Sequence, residues 1–292
     1  MDLDRTHRRP LSQTVLAAAL VRPGGPWRSV EVLPAVGSTN TELFARAEKG
    51  EEDGTVLVTE HQTAGRGRLG RGFETPEGSA LTFSLLLRPP VAPDRLGWLP
   101  ALMGAAAVGA VRRTTGVRAA LKWPNDLVVS ADLRAEPSEA DGKLAGILAE
   151  ADLAAEAPAV VIGMGLNVSQ SREELPVPTA VSLRSEGATG LDRGALLCAC
   201  LGEFEELYTR WTAAGGDAEA SGLAPLYRDL CSTVGRRITV HLPGGETLEA
   251  TATGIDDQAR LVVTTAAGAR ALNVGDVVHV RPRGLRTGPR RP

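Results

Sequence analysis

Glycine and arginine alternate in one short segment, Gly65-Arg66-Gly67-Arg68, which follows a strand-like run. Glycine lets the backbone approach a ligand closely, and arginine offers paired N–H donors to a phosphate or a carboxylate. The next residues resemble a loop leading to a strand, whereas a dinucleotide-binding fold needs a helix directly after its glycines. We therefore predict a mobile anion-binding loop that an anion orders. A solvated basic turn is the alternative interpretation of the segment taken alone.

A second polar group, Lys122-Trp123-Pro124-Asn125-Asp126, ends a predicted strand. Pro124 fixes a turn, so that Asn125 and Asp126 present an amide and a carboxylate at the strand end. These groups suit a nucleotide or a hydrated magnesium ion. An Asx turn with a salt-bridged lysine is the alternative.

Two apolar strands carry further candidate residues. Lys143 begins the run Lys-Leu-Ala-Gly-Ile-Leu, where its ammonium group can reach into a pocket as a point charge; an edge lysine is the alternative. Gly163-Met164-Gly165-Leu166-Asn167 ends another strand with small residues, which would let a flat ligand lie against the backbone. A simple turn is the alternative there.

Small polar residues also precede a predicted helix. Ser38-Thr39-Asn40 offers hydroxyl groups and backbone donors to a small polar ligand. The segment Thr39-Asn40-Thr41-Glu42 has the form of a capping box, which is compatible with ligand binding. His61 and Gln62 precede the arginine loop, but His61 has no partner carboxylate at a fixed spacing and is not a site candidate.

The elements that must position these residues alternate irregularly along the chain. A short helix capped by Ser12 is expected near the start, and a polar solvent loop between residues 131 and 142. We predict strands at 30–36, 54–60, 80–88, 127–130, 144–150 and 160–164 and helices at 96–113 and 193–211.

The pattern changes near Cys231, after which short strands are cut by turns. This pattern is typical of a small antiparallel barrel. We therefore divide the chain into an N-terminal arm at 1–28, a main domain at 29–230, the barrel at 231–283 and a disordered basic tail at 284–292.

Charge and composition exclude several classes of protein. The 292 residues carry a net charge of -3, with 32 Lys and Arg against 35 Asp and Glu, so no general field attracts nucleic acid or an acidic membrane. The three cysteines show neither disulfide nor zinc spacing, which favours a cytoplasmic location. The longest uncharged stretch, 97–111, is shorter than the roughly 18 residues of a membrane span.

Taken in order, five motifs resemble those of the biotin protein ligases, and the resemblance covers residues from about 30 to 283. It implies an α+β fold, with a mixed-sheet catalytic domain of the biotin/lipoate ligase type and a small C-terminal SH3-like β-barrel. The motifs are Gly37-Ser38-Thr39-Asn40, Glu60-His61-Gln62-Thr63-Ala64-Gly65-Arg66-Gly67-Arg68, Lys122-Trp123-Pro124-Asn125-Asp126, Gly142-Lys143-Leu144-Ala145-Gly146-Ile147-Leu148 and Gly163-Met164-Gly165-Leu166-Asn167.

The family joins biotin to ATP and then passes the biotinyl group to a lysine of a carboxyl carrier domain. The resemblance therefore implies biotin, ATP and Mg²⁺ as ligands, and the biotin carboxyl carrier domain of an acyl-CoA or pyruvate carboxylase as partner. By the same resemblance, the biotin contacts are Ser38, Thr39, Asn40 and Gln62; the loop over the biotin carboxylate and phosphates contains Gly65, Arg66, Gly67 and Arg68; the nucleotide corner is Lys122, Asn125 and Asp126, with Asp126 at the metal; and the pocket wall is Gly163, Gly165 and Asn167.

Lys143 resembles the lysine that lies between the biotin carboxylate and the α-phosphate. Attack of one anion on another is opposed by charge, so the site must supply fixed cations. Lys143, Arg66 and Arg68 are the expected catalytic residues. No credible Ser or Cys nucleophile is present, which agrees with a reaction that needs no covalent enzyme intermediate.

Some features depart from the family pattern or leave alternatives. The arm before Pro23 is too short for the helix-turn-helix domain of members that repress transcription, so we expect neither DNA nor membrane binding. The polar segment 131–141 is longer than expected and has no assigned role. A lipoate or octanoyl ligase of the same fold and a binding protein that only senses biotin remain the alternative functions.

Overall fold

The structure is a computed structural model that describes residues 8–136, 138–152, 158–273 and 275–279. The predicted disordered tail at 284–292 lies outside these residues. Within them, no helix is both long enough and apolar enough to cross a membrane.

Seven strands form one mixed sheet in the order β1-β2-β3-β7-β6-β5-β4. The pair β1 and β2 is parallel, and the other neighbouring pairs are antiparallel. Strands β3 and β7 are buried along their whole length, as expected for strands of largely apolar sequence at the centre of a sheet. The strands are β1 Ser29–Leu33, β2 Thr55–Thr59, β3 Ala80–Leu87, β4 Ala119–Lys122, β5 Asp126–Val129, β6 Gly142–Asp152 and β7 Ala159–Asn167.

Helices cover both faces of this sheet. On one face, Leu43 of α2 packs with Leu57 and Leu86 in a small cluster. Alternate residues of the same strands point to the other face, where α3 and α4 build the main core around Phe83 and Phe204. The helices are α1 Gln13–Leu20, α2 Thr39–Ala47, α3 Trp98–Thr115, α4 Arg193–Ala213 and α5 Leu223–Leu230.

Five further strands form an antiparallel sheet, the C-terminal sheet, in the order β11-β10-β9-β8-β12. It contacts the main part of the chain through the indole N–H groups of Trp98 and Trp123, which donate to the carbonyls of Asp257 at 2.8 Å and Ala259 at 3.3 Å. Its strands are β8 Arg237–His241, β9 Thr247–Ile255, β10 Leu261–Thr265, β11 Gly268–Leu272 and β12 Asp276–His279.

The N-terminal helix forms as predicted. The Ser12 side chain accepts a hydrogen bond from Val15 N, and Leu16 and Leu20 are buried against the main core. The predicted capping box of α2 is wrong by one residue, because Ser38 is the N-cap and accepts from Thr41 N.

Two other sequence predictions differ from the structure. Helix α5 was not predicted; Pro225 lies in its first turn, where a missing N–H is tolerated. The prediction of a solvent loop at 131–142 is wrong in part, because Ala131 is buried and Gly142 is a buried residue of β6. The side chains of Arg134 and Asp141 are only 1% and 8% exposed, because they pair with Glu186 and His279 from other parts of the chain.

Candidate functional site

A cavity of about 780 Å³ opens where α2 begins, beside the Gly65–Arg68 segment, the Lys122–Asp126 turn and the ends of β6 and β7. The C-terminal sheet contributes Val277 and Val278 to its rim. The predicted site residues that line the cavity are Ser38, Thr39, Asn40, Gln62, Arg66, Gly67, Arg68, Lys122, Asn125, Asp126, Lys143, Gly163, Gly165 and Asn167.

Uncharged polar groups converge at the α2 end of the cavity. The Gln62 side-chain oxygen accepts from Thr39 N at 2.9 Å and lies 3.2 Å from Thr39 Oγ1. Beneath them, the Ser84 hydroxyl lies 2.8 Å from Thr39 Oγ1 and is fully buried. Each hydroxyl is held by a neighbour, so this end presents a fixed set of neutral donors and acceptors.

Asn40 is held firmly at the same end. Its amide donates to Leu148 O at 3.1 Å and to Glu150 Oε2 at 3.0 Å, and Ser84 Oγ lies 2.7 Å from its Oδ1. A Cβ atom at Gly163 would lie 2.0 Å from Asn40 Oδ1, so only glycine fits beside the amide. The structure therefore shows Asn40 as a fixed wall of the cavity whose amide already has protein partners.

The Gly65–Arg68 segment belongs to a loop whose two arms are joined by backbone hydrogen bonds. Gly67 N donates to Arg71 O at 2.7 Å, and Phe73 N donates to Gly65 O at 2.9 Å. Gly65 supports the loop from behind, since a Cβ atom there would lie 2.2 Å from Phe73 O. The Phe73 ring in turn lies against Gly165, where a Cβ atom would approach it to 2.4 Å.

The two arginines of this loop reach in different directions. Arg66 is 57% exposed and places Nη1 3.3 Å from Thr41 Oγ1 and 3.7 Å from Glu150 Oε1. Arg68 Nη1 donates to Asn125 Oδ1 at 3.3 Å, which connects the loop to the Lys122–Asp126 turn across the cavity.

The Lys122–Asp126 turn joins β4 and β5 and contains a cis peptide bond between Trp123 and Pro124. Asn125 fixes the turn to β6: its Nδ2 donates to Ile147 O at 2.8 Å, and its carbonyl accepts from Ile147 N at 2.9 Å. The Asn125 side chain is thus oriented before any ligand arrives.

Lys143 and Asp126 form an ion pair inside the cavity, with 2.6 Å between Nζ and Oδ1. Their side chains are 43% and 23% exposed, so both remain accessible from the opening. Lys143 pairs with Val128 of β5 on one side and forms a β-bridge with Ala180 on the other, which excludes the edge-lysine alternative. The chain has three lysines, and Lys122 and Lys143 line the cavity, whereas Lys49 is exposed beyond α2.

Comparison with known proteins agrees with this arrangement. Residues 32–167 match the Biotin/lipoate A/B protein ligase family, and residues 233–280 match the Biotin protein ligase C terminal domain. A Biotin--[acetyl-CoA-carboxylase] ligase of Mycobacterium tuberculosis is 39% identical over 285 residues, which cover 96% of this chain and 99% of that protein. The chain belongs to the biotin protein ligase family.

Other relatives extend the comparison. The Bifunctional ligase/repressor BirA of Escherichia coli is 32% identical over 80% of this chain and 69% of its own length. The solved structure of the biotin protein ligase from Aquifex aeolicus in complex with biotin and ATP has a TM-score of 0.69 and 25% identity, and covers 88% of this chain and all of that one. The predicted α+β fold with a mixed-sheet catalytic part is confirmed.

A magnesium ion fits this member of the biotin protein ligase family only if phosphate and water oxygens supply most of its ligands. Among the described residues, no three His, Cys, Asp or Glu side chains come together as a metal cage. Asp126 and Glu74 are the carboxylates that line the cavity, and Asp126 is the one in the predicted nucleotide corner. Mg²⁺ at nucleotide sites is commonly held by one or two carboxylates together with phosphates and water, and one carboxylate meets that requirement.

Asn167 has a structural part in the biotin ligase cavity. Its Nδ2 donates to Val181 O at 3.0 Å, and its Oδ1 accepts from Gln170 Nε2 at 3.1 Å. The amide therefore ties the end of β7 to the segment around Val181, and it forms the cavity wall from that position.

Sequence analysis missed several residues of the candidate site. Ser84 and Glu150 fix Asn40, Phe73 covers Gly165, and Val278 reaches the rim from the C-terminal sheet. A serine beside Thr82 in the otherwise apolar strand β3 is a weak signal. The others act through contacts between distant segments, which no local pattern reveals.

Proposed function

We propose that this chain catalyses two steps. In the first, a carboxylate oxygen of biotin attacks the α-phosphorus of ATP, which gives biotinyl-5′-adenylate and releases pyrophosphate. In the second, the ε-amine of a carrier lysine attacks the acyl carbon; AMP leaves and the amine loses a proton. The observation that carries the proposal is the Lys143–Asp126 ion pair between a neutral polar pocket and an arginine loop in one cavity.

The neutral end of the cavity suits the uncharged ureido ring of biotin. Thr39 and Gln62 offer a hydroxyl and an amide whose positions their mutual hydrogen bonds fix. Gly163 and Gly165 line the cavity, where Asn40 and the Phe73 ring lie directly against them and so form a closely packed wall for a bound ring. A preorganised pocket of this kind gives affinity because little side-chain entropy is lost on binding.

The charged end suits the reacting anions. Lys143 can hold the biotin carboxylate and the α-phosphate together, and Arg68 adds a guanidinium group beside Asn125. Arg66 lies beside Thr41 and Glu150 in this structure and would add a second guanidinium group when the loop closes. Mg²⁺, when bound with ATP, supplies further positive charge at the phosphates. Closing of the loop over the cavity excludes water from the mixed anhydride.

The carrier domain must reach the same opening. Val177 and Val278 are each 51% exposed at the cavity rim, one from the main part of the chain and one from the C-terminal sheet. These apolar side chains offer a contact for a folded carrier domain whose lysine enters the cavity. The name of the Mycobacterium tuberculosis relative favours the carrier domain of acetyl-CoA carboxylase.

The test is to incubate the protein with biotin, Mg²⁺ and ATP and to measure pyrophosphate release, then to add a carrier domain and detect biotin on it. Carrier with its acceptor lysine changed to arginine is the control. Replacement of biotin by octanoate or lipoate tests the related ligase activity. Biotin binding without pyrophosphate release would contradict the proposal and favour a sensor.

A further inference from the structure

A line of hydrogen bonds crosses from the Lys122–Asp126 turn into the C-terminal sheet and returns to the segment 131–141. Trp123 N donates to Thr233 Oγ1 at 3.1 Å, and Thr233 Oγ1 lies 3.1 Å from His279 Nε2. His279 Nδ1 lies 2.9 Å from Asp141 Oδ2. Ala131 N donates to the other oxygen of Asp141 at 3.0 Å.

Each member of this line is buried. Thr233 is fully buried, and the side chains of His279 and Asp141 are 5% and 8% exposed. One set of proton positions satisfies all of them: Nδ1–H of His279 donates to Asp141, and the Thr233 hydroxyl donates to Nε2 while its oxygen accepts from Trp123 N. Buried polar groups that are satisfied in this way fix one arrangement of the segments they join.

The same three residue types occur in hydrolytic triads, but this line has no access to a substrate. Thr233 is fully buried, and neither it nor His279 lines the cavity. The hydroxyl oxygen already accepts from a backbone N–H. A nucleophile needs an open approach for the reacting carbon, so a hydrolytic role is excluded by geometry.

The turn at the end of the line carries the charged half of the cavity. Asn125 accepts a hydrogen bond from Arg68 of the loop, and Asp126 forms an ion pair with Lys143. A shift of the Trp123 backbone would move Lys122, which precedes it in the turn. It would also move Asn125 and Asp126, which follow it. The neutral pocket at α2 has no direct link to the line.

We infer that Asp141, His279 and Thr233 are positioning residues that hold the Lys122–Asp126 turn in the geometry needed for ATP. The inference rests on the proposed ligase function, in which this turn forms the nucleotide corner. It gives a role to the segment 131–141: its last residue anchors the C-terminal sheet to the catalytic turn. ATP use, and not biotin binding, is the property that the line controls.

The deciding variant is Thr233→Val, which keeps the side-chain volume and removes the hydroxyl. Trp123 N and His279 Nε2 then lose their partner, and we expect the KM for ATP in adenylate formation to rise about tenfold. The KM for biotin and the calorimetric affinity for biotin alone should stay unchanged. Thr233→Ser should restore the KM for ATP, because it returns the hydroxyl.

Trp98→Phe is the matched control. It removes the hydrogen bond from Trp98 Nε1 to Asp257 O, which also joins the main part of the chain to the C-terminal sheet. Trp98 lies outside the Lys122–Asp126 turn. We expect it to lower the melting temperature and leave the KM for ATP unchanged. An equal rise in the KM for ATP in both variants would overturn the inference, since any weakening of the interface would then suffice.

A second variant keeps the inference testable if Thr233→Val does not fold. His279→Leu breaks the line one step further from the turn, and it should raise the KM for ATP and speed amide hydrogen exchange at Trp123. An unchanged KM for ATP in soluble variants, with wild-type protein that makes adenylate, would contradict the positioning role. Wild-type protein that makes no adenylate would instead contradict the proposed function.

Discussion

At the scale of single residues, Lys143 is the side chain on which the proposed chemistry depends most. Its ammonium group lies 2.6 Å from Asp126 in a position that is 43% exposed. A partly hydrated ion pair of this kind contributes only about 0–1 kcal/mol to stability. Lys143 can therefore exchange Asp126 for a substrate anion at little cost in folding free energy.

The first prediction is that Lys143→Ala abolishes most adenylate formation and leaves the fold intact. Loss of one fixed charge at the reacting anions should slow pyrophosphate release by about 100-fold or more, while the melting temperature stays nearly constant. Lys49→Ala removes an exposed lysine outside the cavity and is the control. Normal pyrophosphate release by folded Lys143→Ala protein would remove Lys143 from the mechanism.

The second prediction concerns the backbone at Gly163. Gly163→Ala would place a Cβ atom 2.0 Å from Asn40 Oδ1. Asn40 must move and give up its bonds to β6, so biotin affinity should fall at least about tenfold and stability by about 1–3 kcal/mol. Calorimetry and urea unfolding measure the two effects. Gly254→Ala in β9, where a Cβ atom meets nothing within 4 Å, should change neither.

The motifs predicted which side chains gather around the cavity, because charged and small residues stood at strand ends where a ligand can approach. Their separate roles toward biotin, ATP and Mg²⁺ stay predictions. Ser84 and Glu150 escaped notice because each acts on Asn40 from a strand distant in sequence. The sequence around a single serine or glutamate does not indicate which distant side chain it will contact.

At the scale of elements, the arginine loop joins two parts of the cavity. Arg68 connects it to Asn125, and Phe73 seats it on Gly165. Such contacts at a loop with few buried apolar side chains open with little free energy. The loop can therefore admit substrates and still cover the intermediate.

The third prediction is that Arg68→Gly weakens this cover without stopping adenylation. The intermediate then escapes, because the contact with Asn125 is lost and glycine loosens the backbone. Streptavidin blots of a protein mixture should show biotin on unrelated proteins. The exposed Arg118 provides Arg118→Gly as a control. Labelling that remains confined to the carrier domain would show that the loop is not the barrier.

Strands and long helices were predictable because apolar residues recur in them at the regular spacing of a strand or a helix. The predicted strands at 80–88 and 160–164 became β3 and β7, and the helix at 96–113 became α3. The cap of α2 was misplaced by one residue, since Ser38 and Thr39 are equally able to cap. The segment 131–141 was taken for a solvent loop because its buried partners, Glu186 and His279, lie far along the chain.

At the scale of the whole molecule, the interface between the two sheets includes a charged group. Burial alone would raise the pKa of Asp141, but hydrogen bonds from His279 and from Ala131 N outweigh it and lower the pKa from 3.8 to about 2. A lowered carboxylate pKa stabilises the folded state above the unfolded-state pKa. This contribution is lost as the pH falls from about 5 to 1.

The fourth prediction follows from the lowered pKa of Asp141, which makes its charged form stabilising. Wild-type protein should exceed Asp141→Asn in unfolding free energy by about 2 kcal/mol at pH 5, and the difference should vanish near pH 1. Urea unfolding at several pH values measures it. Asp132→Asn, at an exposed position of the same segment, is the control. A difference that is constant with pH would show that the carboxylate charge is not responsible.

The family and its α+β architecture could be predicted because five motifs occur in one order over most of the chain. The domain boundaries, the cytoplasmic location and the absence of DNA binding stay predictions. The way the C-terminal sheet meets the Lys122–Asp126 turn was not predictable, because it depends on Thr233, His279 and Asp141 meeting from three separate segments.

Lysine is nearly absent from the surface of this protein. An acyl adenylate reacts with any nearby unprotonated amine, including those of the protein that made it. Two of the three lysines lie in the cavity, and Lys49 follows α2, which places it roughly 15 Å of helix away from Ser38. Arginine, whose guanidinium is always protonated, supplies most of the remaining positive charge. An escaping intermediate therefore meets few side-chain amines on its own enzyme that it can acylate, and Lys49 is the lysine that lies outside the cavity.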